Sequence, residues 1–129
     1  MKNKKFKKVL LIGCGSEIGS MLISMNNPNK DGFNIDTVLT KKIDKNDSLN
    51  SIYARMVILN PNLIDKIIIN KKKNTIKINN RDIKFIWGDI RKIKVTVFKK
   101  KFDATIVATS KQHISNKNIM KKFLKVSNY

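Results

Sequence analysis

A single junction near the start of the chain narrows its fold more than anything else in the sequence. Phe6-Lys-Lys-Val-Leu-Leu-Ile12 is short, apolar and β-branched at its end, the pattern of a buried strand. Gly13-Cys14-Gly15 breaks that run. Ser16 can then cap a helix in which Ile18, Met21, Leu22 and Met25, spaced by three and four, predict an inward stripe. The stretch from 26 to 32 contains Pro28 and reads as a turn. A second strand over 33–40 follows, with Ile35, Thr37 and Leu39 alternating against Asp36, Val38 and Thr40. Strand, helix and strand within about forty residues is the unit of a parallel sheet, which predicts an α/β fold.

The middle of the chain has a different texture. Asp47 or Ser48 can cap a helix running to Ile58, with Leu49, Ile52, Tyr53 and Met56 on one stripe and Asn60-Pro61-Asn62 closing it. Residues 66–70 and 75–79 are β-type runs on either side of Lys71-Lys72-Lys73-Asn74, which predicts a hairpin. A turn at 79–82 leads to a strand over 83–87, and 102–109 is the clearest later strand. Ser115 can cap a last helix with Ile119, Met120, Phe123 and Leu124 inward. With 129 residues, no internal repeat and no linker, one domain spanning 1–129 is expected.

Composition removes several classes. One cysteine, Cys14, excludes a disulfide framework and a cysteine-rich zinc site, and one histidine, His113, excludes a multi-histidine metal centre. The apolar run from Val9 to Ile12 is far shorter than the roughly 20 residues that span a bilayer. Glycines end it too early for a signal peptide, so a cytoplasmic protein is expected. The net charge of +19 looks decisive, yet the chain has 25 lysines and only three arginines. Lysine, isoleucine and asparagine fill 61 of 129 positions, and all three can be written with A/T-rich codons. Compositional drift therefore weakens the charge as a sign of function.

Three of the five glycines, Gly13, Gly15 and Gly19, fall within seven residues between a strand and a helix. Such a turn lets backbone N–H groups approach a pyrophosphate, and the helix N-terminus adds about half a positive charge. The spacing G-x-G-x-x-x-G is one residue longer than the usual dinucleotide fingerprint, and Glu17 brings a carboxylate into the loop. Short-chain dehydrogenases use T-G-x-x-x-G-x-G, which Gly13 and Gly19 match in part. That family needs a Tyr and a Lys four apart, whereas Tyr53 is followed by Val57. A dinucleotide site places an acid for the ribose 2′-OH, or a cation for a 2′-phosphate, where the second strand ends. Thr40 and Lys41 stand there, and Asp44 comes about one helical turn too late, so NADP is expected slightly ahead of NAD.

The order of these pieces resembles the N-terminal, NAD(P)-binding domain of glyceraldehyde-3-phosphate dehydrogenase over nearly the whole chain. Lys8-Val-Leu-Leu-Ile-Gly-Cys-Gly-Ser-Glu-Ile-Gly19 is similar to the family's first strand and G-x-G-R-I-G loop, with one residue extra and the arginine absent. Tyr53-Ala54 through Met56-Val57 resembles its Tyr-(Met)-Ala-x-Leu-Leu helix. Asp65 to Asn70 and Asn74 to Phe85 resemble its hairpin ending in Leu-x-Ile-Asn-Gly-Lys-x-Ile. Phe102 to Thr109 parallels Val-Asp-x-Val-Val-Glu-(Ser/Ala)-Thr-Gly, with Ser110 in place of the glycine. The family's ribose acid aligns with Thr40-Lys41, and its adenine-side arginine falls near Gly88.

The resemblance implies a Rossmann-like doubly wound, mainly parallel sheet with an inserted β-hairpin. It implies NADP or NAD held by Gly13, Gly15, Ser16, Glu17, Ile18, Gly19, Thr40, Lys41, Thr109 and Ser110. The family's nucleophile motif, Ser-Cys-Thr-Thr-Asn, and its histidine do not occur in these residues, and neither Cys14 nor His113 can inherit those roles. The expectation is thus a cofactor-binding half of an oxidoreductase, truncated of its catalytic half, inactive alone, and oligomeric if a catalytic domain follows. The competing reading is a basic module that holds nucleic acid without reading sequence. Dispersed lysines, scarce arginine and 7% aromatics count against it, and Trp87, Phe98 and Phe102 are expected in the core.

Overall fold

The computed structural model describes residues 6–13, 19, 21, 23, 33–41, 48–78, 81–89, 92–98, 101–108 and 121. Among these residues six strands form one sheet: β1 (Phe6–Ile12), β2 (Phe33–Thr40), β3 (Ile67–Asn70), β4 (Thr75–Ile78), β5 (Arg81–Trp87) and β6 (Ala104–Val107). Their order is β3-β4-β5-β2-β1-β6. β5, β2, β1 and β6 run parallel, while β3, β4 and β5 form an antiparallel meander. One helix is bounded among the described residues, α1 (Leu49–Leu59); Gly19, Met21, Ile23 and Lys121 also have helical backbone.

β1 is buried on both faces because its residues alternate between two apolar layers. Val9 and Leu11 join Ile35, Val38, Ile76, Ile78, Ile83 and Phe85 under the α1 stripe Leu49, Ile52 and Met56, with Ile23 beside them. Leu10 and Ile12 join Leu39, Phe98 and Phe102 on the opposite face. There Phe98 and Phe102 meet edge to face at 5.8 Å and 82°, so both aromatics are core residues as expected.

The doubly wound α/β, Rossmann-like expectation is not what the structure has. Among the described residues the fold is a β-rich mixed sheet with one bounded helix. Two physical causes stand out. A doubly wound sheet carries helices on both faces, but among the described residues the second apolar layer is covered by the irregular connection between β5 and β6. That connection contains Ile93, a 3-10 turn at Val95–Val97, Phe98 and Phe102. Its β-branched residues Ile93, Val95, Thr96 and Val97 lose side-chain freedom in a helix. The meander, secondly, alternates in burial along β3, β4 and β5, the signature of an antiparallel sheet with one wet face.

Local details follow from particular residues. In the register of β1 and β2, Val9 pairs with Ile35 but Leu10 pairs with Thr37, so Asp36 is an extra residue. This bulge turns Ile35 and Val38 to the same face and Leu39 to the other, which breaks the simple alternation of the sequence. The Ser48 N–H donates to Ser51 Oγ at 3.3 Å at the start of α1. The Asn60 N–H closes its end on the Met56 carbonyl at 2.8 Å, one residue beyond the expected stop. Met21 departs from its predicted inward position: it is 42% exposed, whereas Ile23 is fully buried. Gly19 and Ile23, four apart, define the buried side there, and Ile18, Leu22 and Met25 lie outside the described residues. The predicted helix after Ser115 also lies outside them, apart from Lys121.

Candidate functional site

Four parallel strands end along one edge of the sheet, and their carboxyl ends are tied to one another by backbone hydrogen bonds. The Gly13 N–H donates to the Leu39 carbonyl at 2.8 Å, joining the end of β1 to β2. The Gly88 N–H donates to the Thr40 carbonyl at 2.9 Å, joining β5 to β2, and the Ala108 N–H reaches the Ile12 carbonyl at 2.8 Å, joining β6 to β1. Gly13, Thr40, Lys41, Gly88, Asp89 and Ala108 therefore form a fixed rim. β1 has its successor β2 on one side and the much later β6 on the other. The order of strands reverses about β1, and in open sheets ligands settle in the crevice at such a switch point.

Gly13, directly after β1, adopts φ 89°, a left-handed conformation that suits glycine. Thr40 is buried at 3% exposure, with its hydroxyl 3.5 Å from the Lys41 carbonyl. Lys41 stands beside Asp89, Nζ to Oδ2 3.8 Å, with side-chain exposures of 57% and 12%. The Asp89 carbonyl accepts the N–H groups of Lys92 and Ile93, each at 2.9 Å, so the chain turns helically after β5. Gly88 packs closely: a Cβ there would stand 2.8 Å from Ile93 Cδ1, the movable end of that side chain, and 3.4 Å from Leu39 Cδ1.

Of the residues singled out by sequence, the rim brings together Gly13, Thr40 and Lys41, and Gly19 is buried in helical backbone. Gly15, Ser16, Glu17, Ile18, Thr109 and Ser110 lie outside the described residues, as do Cys14 and His113. Sequence reasoning missed Asp89 as the partner of Lys41. Its available signal was the Gly-Asp pair directly after a strand, the same kind of break that drew notice at Gly13. No protein-family model matches the chain, and no curated protein matches it. Among the described residues there is no group of three or more His, Cys, Asp or Glu able to hold a metal ion. No helix among them is long and apolar enough to cross a membrane.

The β3–β4 hairpin, at the same end of the sheet but displaced sideways across β5 and β4, offers a second, largely electrostatic surface. Lys71, Lys72 and Lys73 are exposed at the tip of the β3–β4 hairpin. On the outer face of the meander, Ile68 pairs with Lys77 and Lys77 with Asp82, while Asn70 pairs with Thr75 and Thr75 with Lys84. Carboxylate and ammonium groups are mixed on this face.

Proposed function

We propose that the chain binds a dinucleotide, NAD or NADP, across the carboxyl ends of its parallel strands. The pyrophosphate would lie against the backbone that leaves β1 at Gly13, and the adenosine ribose would lie near Lys41. The observation that carries the reading is the left-handed Gly13 at the point where strand order reverses. A glycine there lets backbone approach phosphate closely, and Lys41, 57% exposed, adds a positive charge on the adjoining strand end. The resemblance of the loop and hairpin sequences to the cofactor half of glyceraldehyde-3-phosphate dehydrogenase supports the same ligand. In such a division of labour the cofactor carries the hydride and this domain binds and orients it, so the chain by itself is expected to turn over no aldehyde.

Calorimetric titration with NADH and NADPH tests the reading. Saturable binding that weakens at least tenfold in Gly13→Ala, with an unchanged circular dichroism spectrum, is the expected result. Absence of binding by both cofactors contradicts it.

The alternative, a nonspecific nucleic-acid module, draws support from the exposed Lys71–Lys73 tip. Counterion release makes such binding fall steeply with salt. Binding to a random-sequence RNA that falls steeply as salt rises and is lost on charge reversal of Lys71, Lys72 and Lys73 alone, with neither cofactor bound, would put this reading first.

A further inference from the structure

Resting on the dinucleotide reading, we propose that Asp89 is the residue that decides between the two cofactors, by holding Lys41 and opposing a 2′-phosphate. Sequence placed only a cation at the end of β2, which favours NADP. The fold sets a carboxylate beside it from the neighbouring strand.

The placement is rigid on the acid's side. β2 and β5 are parallel neighbours with Thr40 paired to Trp87, and the Gly88 N–H locks the end of β5 to the Thr40 carbonyl at 2.9 Å. Asp89 follows immediately, its side chain only 12% exposed, and its backbone carbonyl starts the turn that accepts Lys92 and Ile93. Lys41, by contrast, is 57% exposed on a flexible stem. The acid is the fixed partner and the lysine the movable one.

The consequence for a ligand follows from charge. A 2′-phosphate carries close to two negative charges at neutral pH. Drawn toward Lys41, it must take the ammonium from Asp89 and come to rest near that carboxylate, where like charges repel. A 2′-hydroxyl meets neither obstacle and can donate a hydrogen bond to the Asp89 carboxylate. Asp89 thus turns a lysine that would by itself select NADP into part of a site that accepts NAD.

Asp89→Asn is the informative variant, because asparagine supports a turn start as well as aspartate does. The ratio of NADPH to NADH affinity, measured by calorimetry, is expected to rise about tenfold in Asp89→Asn. That rise should vanish in the double variant Asp89→Asn, Lys41→Ala, since no cation then remains for the phosphate. An unchanged ratio in Asp89→Asn, with both cofactors still bound, overturns the role of Asp89 and leaves the dinucleotide reading standing. Failure of the native chain to bind either cofactor overturns both.

Discussion

Asn74 shows how much one residue can settle at the tip of the hairpin. It has φ 58°, its side-chain amide donates to the Phe85 carbonyl at 2.9 Å, and its carbonyl accepts the Phe85 N–H at 2.9 Å. Asparagine tolerates the left-handed region that costs most residues roughly 1–2 kcal/mol. The side-chain hydrogen bond adds about 1 kcal/mol. Asn74→Ala should therefore destabilise the protein by about 2 kcal/mol in urea unfolding, and Asn74→Gly by about half as much. Equal losses from the two would show that the backbone angle does not matter. Thr105 presents the opposite case. Its hydroxyl is buried with no hydrogen-bond partner, and its strand partner is Leu10 of the second apolar layer. Thr105→Val keeps the shape and removes the unpaired polar atom, so the midpoint of thermal unfolding should rise, by an amount reflecting about 1 kcal/mol. A fall would mean that the hydroxyl is satisfied.

The strands differ sharply in how they are held. β1 lies between β2 and β6 and is buried on both faces, whereas among the described residues β3 is at the sheet edge, paired to β4 alone, with Ile68 63% exposed. Hydrogen exchange should find the amides of Leu10 and Leu11 the slowest and those of Ile68 to Asn70 among the first to exchange. Comparable protection in β3 would imply a partner on that edge. Lys66 and Lys71 flank it, charges that discourage pairing with another strand. Much of this scale was legible in the sequence, because local rules govern it. The ends of β1 and β2, the hairpin and the Ser48 start of α1 follow from apolar runs, turn residues and a cap. What escaped depends on distant groups. The extra residue at Asp36 exists only in register with β1. The outward Met21 reflects a buried side set by Gly19 and Ile23. Among the described residues the cover over Leu10 and Leu39 comes from the segment between β5 and β6, which forms a 3-10 turn and not a longer helix, and that segment undoes the doubly wound expectation. At the rim, Gly13, Thr40 and Lys41 were readable from a break and a strand end. Asp89 was not, because its meeting with Lys41 requires β5 to lie beside β2.

For the molecule as a whole, +19 of charge and a tied rim of strand ends point toward different partners. Dispersed lysines attract any polyanion, with affinity that falls as salt rises. The rim at Gly13, Lys41 and Asp89 would instead hold one small ligand in one orientation. The two surfaces lie apart in the sheet, since the Lys71–Lys73 tip belongs to the β3 edge and Gly13 follows central β1. Their separation makes the two readings resolvable in one experiment on the native chain. Amide chemical shifts of the 15N-labelled protein, followed during titration with NADH at moderate salt, decide between a dinucleotide at the rim and a polyanion at the lysine tip. Saturable shifts concentrated at Gly13, Thr40, Lys41, Gly88, Asp89 and Ala108, with Lys71, Lys72 and Lys73 unmoved, are the expected result. Shifts confined to the lysine tip and erased by added salt, with the rim silent, would contradict the dinucleotide reading.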